Sequence, residues 1–156
     1  MLFLKMIGSA SLMTAAIFAC AMSSAYERKV VLTLDGFWEL INFAKNKIDL
    51  SLLPSEEILR CAEKEKFTLE LDGVSSFDEV VKKNGLYLET DAKEELLSFA
   101  MGFGEARREE QIKRCERYAD AIDEIRGRAR GKMAEKIKMK RTLIWSVALC
   151  IILVLW

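Results

Sequence analysis

No histidine occurs anywhere in this chain of 156 residues. That absence removes His-based catalytic triads, histidine metal sites and an imidazole general base together. Its four cysteines, Cys20, Cys61, Cys115 and Cys150, form no CxxC pair, so the chain offers neither a zinc knuckle nor a thioredoxin-type motif, and disulfide staples are not expected. Phosphate cradles of the GxxxxGK[ST] and GxGxxG types are missing, and Gly102-Phe103-Gly104, with no strand before it, reads as a turn. The acidic pairs Glu56-Glu57, Glu94-Glu95 and Glu109-Glu110 do not converge on one substrate atom, because neighbours on a helix point about 100° apart. No catalytic, cofactor-binding or metal-binding residue is predicted, and any chemistry is expected to reside in a partner rather than in a bound small molecule.

Charge is missing from both ends. Cations and anions number 24 each, yet Met6 to Ala25 and Thr142 to Trp156 contain none. As a helix the first stretch covers roughly 30 Å, the thickness of a bilayer core, which predicts a transmembrane helix over residues 1–25. Ser11, Ala15, Ala19 and Ser23 recur every fourth position and form a face suited to close packing with another helix, although small residues are common in membrane helices generally. A cleaved signal peptide, with Lys5 as its positive region and Ser23 to Ala25 as its cleavage site, is the competing reading. A lipoprotein version built on Cys20 meets the bulky Phe18 where a small or branched residue is wanted. Leu143 to Trp156 covers only about 21 Å as a helix. It crosses if Lys140 and Arg141 snorkel and Trp156 reaches the far interface, giving a short second segment over residues 142–156.

Between the ends the charge is segregated. Arg126, Arg128, Arg130, Lys132, Lys136, Lys138, Lys140 and Arg141 face a single anion, Glu135, a net of plus seven, while Glu27 to Ile125 carries 15 cations and 23 anions, a net of minus eight. Under the positive-inside rule the cluster, together with Arg28 and Lys29, stays cytoplasmic. Its main expected role is contact with anionic lipid headgroups. Nucleic-acid binding is not expected of a patch without interleaved aromatics.

Residues 26–141 read as a helical domain. Val30, Val31, Leu34, Phe37, Trp38, Ile41, Ala44 and Ile48 step by three and four, the period of an amphipathic helix continuing the first span. Gly36 in its interior suggests a kink or a close helix contact. Leu53-Pro54-Ser55-Glu56-Glu57 starts a second helix running to about Glu65. Alternation at Phe67, Leu69 and Leu71 before Asp72-Gly73 suggests a short strand. Ser76 with Glu79 and Asp91 with Glu94 fit the capping box and start two more helices, stopped by Asn84-Gly85 and by Gly102. From about Glu105 to Lys138, Ile112, Cys115, Tyr118, Ala119, Ile122, Ile125, Ala129, Met133 and Ile137 mark one long helix, with Cys115 as a packed thiol rather than a nucleophile. The expected fold is all-α, an antiparallel helical bundle carried on two membrane-embedded helix ends.

The Leu53-Pro54 helix start with Glu57-Ile58-Leu59, the Phe99-x-x-Gly102-x-Gly104 turn, Glu110-Gln111-Ile112 opening the long helix and the apolar tail together resemble the stage III sporulation protein AB family of spore-forming Firmicutes. The family is similar to the cytoplasmic helical domain of type II secretion and type IV pilus inner-membrane platform proteins. The resemblance implies a non-enzymatic scaffold of the mother-cell-to-forespore channel. It would lie on the mother-cell side of the outer forespore membrane, with its soluble domain cytoplasmic. Its implied partners are the stage III sporulation AA ATPase and other proteins of the same channel, while the sequence leaves open whether the chain is also a homo-oligomer. The short C-terminal segment, Val80-Val81 in place of a tryptophan, and Phe67 to Asp72 depart from the family pattern. The partner contact is expected at Glu105, Arg107, Arg108, Glu109, Glu110 and Gln111, where the chain reverses furthest from the membrane. A membrane-tethered adaptor or regulatory protein outside sporulation is the alternative.

Overall fold

The computed structural model describes residues 2–51, 54–65 and 67–155, and within those helices it leaves the side chains of residues 2–7, 9, 10, 12, 20, 23, 51, 55, 56, 152, 154 and 155 undescribed. Every regular element among the described residues is helical: α1 (Leu2–Ser51), α2 (Ser55–Lys64), α3 (Phe77–Asn84) extended by a 3-10 turn (Gly85–Tyr87), α4 (Thr90–Met101) and α5 (Arg108–Leu155). The chain forms two compact units, residues 29–129 and the paired ends 1–28 with 130–156. The three segments expected from sequence divide instead at residues 25 and 141.

In the 29–129 unit the 3.6-residue stripes do what their period dictates. Phe37, Leu40, Ile41, Ala44 and Ile48 of α1 meet Ile58, Leu59 and Ala62 of α2, Val80 and Val81 of α3, Leu96 and Phe99 of α4, and Cys115, Tyr118 and Ile122 of α5 in one buried core. Phe77, Phe99, Phe103 and Tyr118 stack with ring centroids 4.4–5.4 Å apart, tying three elements together at the quadrupole-favoured offset and edge geometries. Tyr118 satisfies its hydroxyl on Ser98 Oγ at 2.8 Å. Lys45 with Glu116 at 3.2 Å and Arg108 with Asp49 at 2.9 Å fix α1 and α5 antiparallel here.

The 1–28 and 130–156 unit is a helix pair. Glu27 holds Lys140 at 3.2 Å and Lys136 at 4.0 Å, and residues 17–28, which precede or adjoin Glu27, share a groove with residues up to Trp145, beyond Lys140, so the two segments run antiparallel. Ala148 is buried, but Ile17, Phe18, Met22, Leu143, Val147, Leu149 and Leu153 are exposed. Among the described residues no helix is long and apolar enough to cross a membrane. The described structure thus does not supply the two embedded ends, and Trp156 lies outside it.

The strand expected at Phe67 to Leu71 is not formed. The alternation is real, since Leu69 and Leu71 are buried, but among the described residues no second strand lies beside them; the side chain of Asn84 takes that place. Its Oδ1 accepts from Glu70 N–H at 2.8 Å and its Nδ2 donates to Glu70 O at 3.0 Å, a two-point pairing of the kind one ladder residue gives another. At Gly36 the close contact is made by this segment rather than by a helix: a Cβ there would stand 2.8 Å from Leu69 Cγ, and α1 runs through it as one element.

Helix starts differ in detail. Ser76 Oγ accepts from Glu79 N–H at 3.3 Å, but Glu79 answers to Ser75, whose N–H donates to it at 2.8 Å, one residue earlier than a capping box predicts. That bond holds the Glu79 carboxyl below its usual 4.5. α4 starts at Thr90 after Glu89, so Asp91 lies within its first turn as a favourable charge at the dipole's positive end and not as the cap.

Candidate functional site

The basic cluster on α5 separates into groups once its partners are placed. Arg126, expected at the lipid surface, turns into the 29–129 unit. Its guanidinium lies 4.4 Å from the Trp38 ring centroid, 3.5 Å from Asp35 Oδ1 and in an ion pair with Asp123. It is a structural cation, because a planar guanidinium satisfies carboxylate and aromatic face at once. Arg128 makes only a long exposed contact with Glu124 at 3.9 Å. Lys136 and Lys140 share Glu27, while Arg130, Lys132, Lys138 and Arg141 are exposed.

The expected packing stripe also resolves. Ser11, Ala15 and Ala19 are exposed, and the side chain of Ser23 lies outside the described residues. The face of α1 turned toward α5 is a different one: Ile17, Ala21, Ser24 and Arg28, at spacings of four, three and four, line a groove of about 380 Å³ with Ile137, Lys140, Arg141 and Trp145. The same periodicity could have revealed it, but the more regular small-residue stripe masks it in the sequence.

At the α4–α5 turn the six candidate partner residues divide. Glu105, Arg107, Glu109 and Glu110 are exposed. Arg108 is tied to the side chain and backbone oxygen of Asp49. Gln111 is buried, only 5% exposed, and with its amide oxygen toward the backbone it accepts from Gly104 N–H at 2.5 Å and Glu105 N–H at 3.2 Å. It clamps the turn, which corrects its assignment to a partner surface. Gly104 adopts φ +97°, the left-handed region open to glycine, while Gly102 lies under the Arg114 guanidinium, which donates to its carbonyl at 2.5 Å. Next to the turn, Lys113, Arg114 and Arg117 with Glu110 line a shallow, mainly cationic cleft.

Cys115 is fully buried, and burial pushes its thiol up to about 11. At neutral pH it is protonated, which removes its nucleophilic form. Cys61 and Cys150 are free thiols as well. No cluster of three or more metal-ligating side chains occurs among the described residues.

Comparison with known families matches residues 5–156 to the model for stage III sporulation protein AB. Neither the curated proteins nor the solved structures give a match.

Proposed function

The chain belongs to the stage III sporulation protein AB family, and from that premise we propose that it is a non-enzymatic platform of a secretion-like sporulation channel, held at the cell membrane by its two ends and docking a cytoplasmic ATPase through its helical bundle. Family membership supports the role in sporulation over an adaptor outside it. One observation carries the membrane part. Ile17, Phe18, Met22, Leu143, Val147, Leu149 and Leu153 stand exposed on the paired ends, directly beside Lys138, Lys140 and Arg141. Apolar surface of this extent has no partner within the unit, and cations at its border match anionic headgroups. The bundle itself buries most of its apolar residues, with Leu32, Leu50, Leu86 and Met101 exposed, and carries a net negative charge, and the exposed charges at Glu105, Arg107, Glu109 and Glu110 offer a polar face at the turn opening α5.

The test is affinity capture of the tagged full-length chain from carbonate-washed membranes of sporulating cells. The chain is expected in the pellet at full length, bringing the ATPase with it, and Arg107→Glu is expected to reduce that capture. Release by carbonate refutes the anchor. Absence of the ATPase from the wild-type capture refutes the docking role, and full capture by Arg107→Glu moves the docking face elsewhere.

A further inference from the structure

The groove in the paired-end unit has a chemical polarity along its length. Read along α1 its lining passes from Ile17 and Ala21 to Arg28, and α5, running antiparallel, contributes Trp145 toward the first end and Arg141 with Lys140 toward the second. One end is apolar and the other carries three cations, and no carboxylate lines it. Glu27, next to Arg28 in the chain, engages Lys140 at 3.2 Å and Lys136 at 4.0 Å, which leaves the guanidinium forks of Arg28 and Arg141 to present donors. Such forks match phosphate oxygens in pairs.

We propose that this groove binds a single anionic phospholipid, its phosphate between Arg28, Arg141 and Lys140 and one acyl chain along Ala21, Trp145 and Ile17. The size agrees: about 380 Å³ lies within the range of ligand clefts. From Ile17 to Arg28 an α-helix rises roughly 16 Å, about the hydrocarbon depth of one leaflet. Free phosphate would meet the cations and leave the apolar end wet, where Ile17 is 55% and Trp145 36% exposed; a lipid covers both ends. The proposal rests on the membrane reading above and adds to it a stoichiometric site in place of diffuse attraction.

The experiment uses the full chain in lipid nanodiscs, in a Trp38→Phe, Trp156→Phe background so that Trp145 alone fluoresces. Bromine, a contact quencher, is placed on the acyl chains of either the anionic phosphatidylglycerol or the zwitterionic phosphatidylcholine at equal total bromine. Stronger quenching by the anionic lipid is expected. Each juxtamembrane cation strengthens association with an anionic surface by about fivefold, so Arg28→Gln should cut the preference about fivefold and Arg28→Gln with Arg141→Gln should abolish it. Lys132→Gln with Lys138→Gln, equal in charge removed but outside the groove, should leave it in place. Equal quenching by the two lipids overturns the site while sparing the anchor, as does an equal loss in both double variants. Relief by inorganic phosphate beyond that of chloride at the same ionic strength reassigns the groove to a soluble anion. A chain that never enters the nanodisc overturns the anchor and the site together.

Discussion

Arg126 is the cation whose sequence context and structural setting differ most, and replacing it separates a lipid contact from a core contact. In Arg126→Gln the cation over Trp38 at 4.4 Å is lost and Asp35 is left without this partner. The side chains of Arg126 and Asp35 are only 16% and 23% exposed, so the pair falls between a surface bridge, worth up to about 1 kcal/mol, and a buried one, whose breaking costs about 3–5 kcal/mol. Taking about 2 kcal/mol for the pair, and about 1 kcal/mol for a partly desolvated cation–π contact, the loss is about 3 kcal/mol. For a domain of this size that lowers the thermal midpoint by about 12–24 °C. Arg128→Gln, by contrast, breaks a 3.9 Å contact between side chains 60% and 76% exposed and should stay within about 0.5 kcal/mol of wild type. Thermal unfolding of the full-length chain in mild detergent, followed by circular dichroism, reads the stability. Sedimentation with anionic vesicles reads the surface contact, where Lys132→Gln should weaken binding and Arg126→Gln should not. An Arg126→Gln protein that melts like wild type but loses vesicle binding as Lys132→Gln does would refute the placement of Arg126.

Three further outcomes are expected. Cys115, buried with its thiol raised to about 11, should escape a thiol reagent at pH 8 until denaturant is added, as peptide mapping would show; modification of the native protein would mean that this face of α5 opens. Glu79 has a depressed folded pKa, so its contribution is present above the ordinary 4.5 and lost as pH falls through the folded value. The stability difference between wild type and Glu79→Gln should therefore be constant above pH 4.5 and shrink below it, and a difference growing on acidification would contradict the Ser75 contact. Gly102→Ala should destabilise by about 1 kcal/mol, because the new methyl displaces Arg114 from the Gly102 carbonyl. In an Arg114→Ala background the same change should stabilise by about 0.5 kcal/mol, since φ −106° suits alanine, and an unchanged sign would refute the contact.

Periodicity made most of the core readable in advance. The stripes through Leu34, Phe37, Ile41 and Ile48, and through Cys115, Tyr118 and Ile122, depend only on 3.6-residue spacing and are buried as expected. Pro54, too, marks the start of α2. What stayed hidden depends on partners distant in sequence or on one-residue shifts. Leu69 and Leu71 alternate like a strand, but nothing local announces that an asparagine at position 84 supplies the pairing. Gln111 resembles any polar residue at a helix start until its amide is seen against Gly104 and Glu105. Arg126 belongs by composition to the basic run, and only the proximity of Trp38 and Asp35 withdraws it. Within the candidate surfaces, charge density was legible and the division between structural and available charge was not.

Asn84 precedes Gly85, a dipeptide in which the glycine nitrogen can attack the asparagine side-chain carbonyl, expel ammonia and close a succinimide that hydrolyses to aspartate or isoaspartate. Here that amide is held by Glu70 N–H and by the carbonyls of Glu70 and Val80 at 2.8–3.0 Å, at the end of α3 where the helix passes into its 3-10 turn. Cyclisation therefore requires the α3 end to release first. Once it has occurred, a carboxylate faces two carbonyl oxygens where an amide donor stood, and the segment carrying Leu69 and Leu71 loses its anchor. Chemical ageing of this protein is thus gated by a local opening, and the fraction of deamidated chain in an old preparation records how long that corner has spent undone.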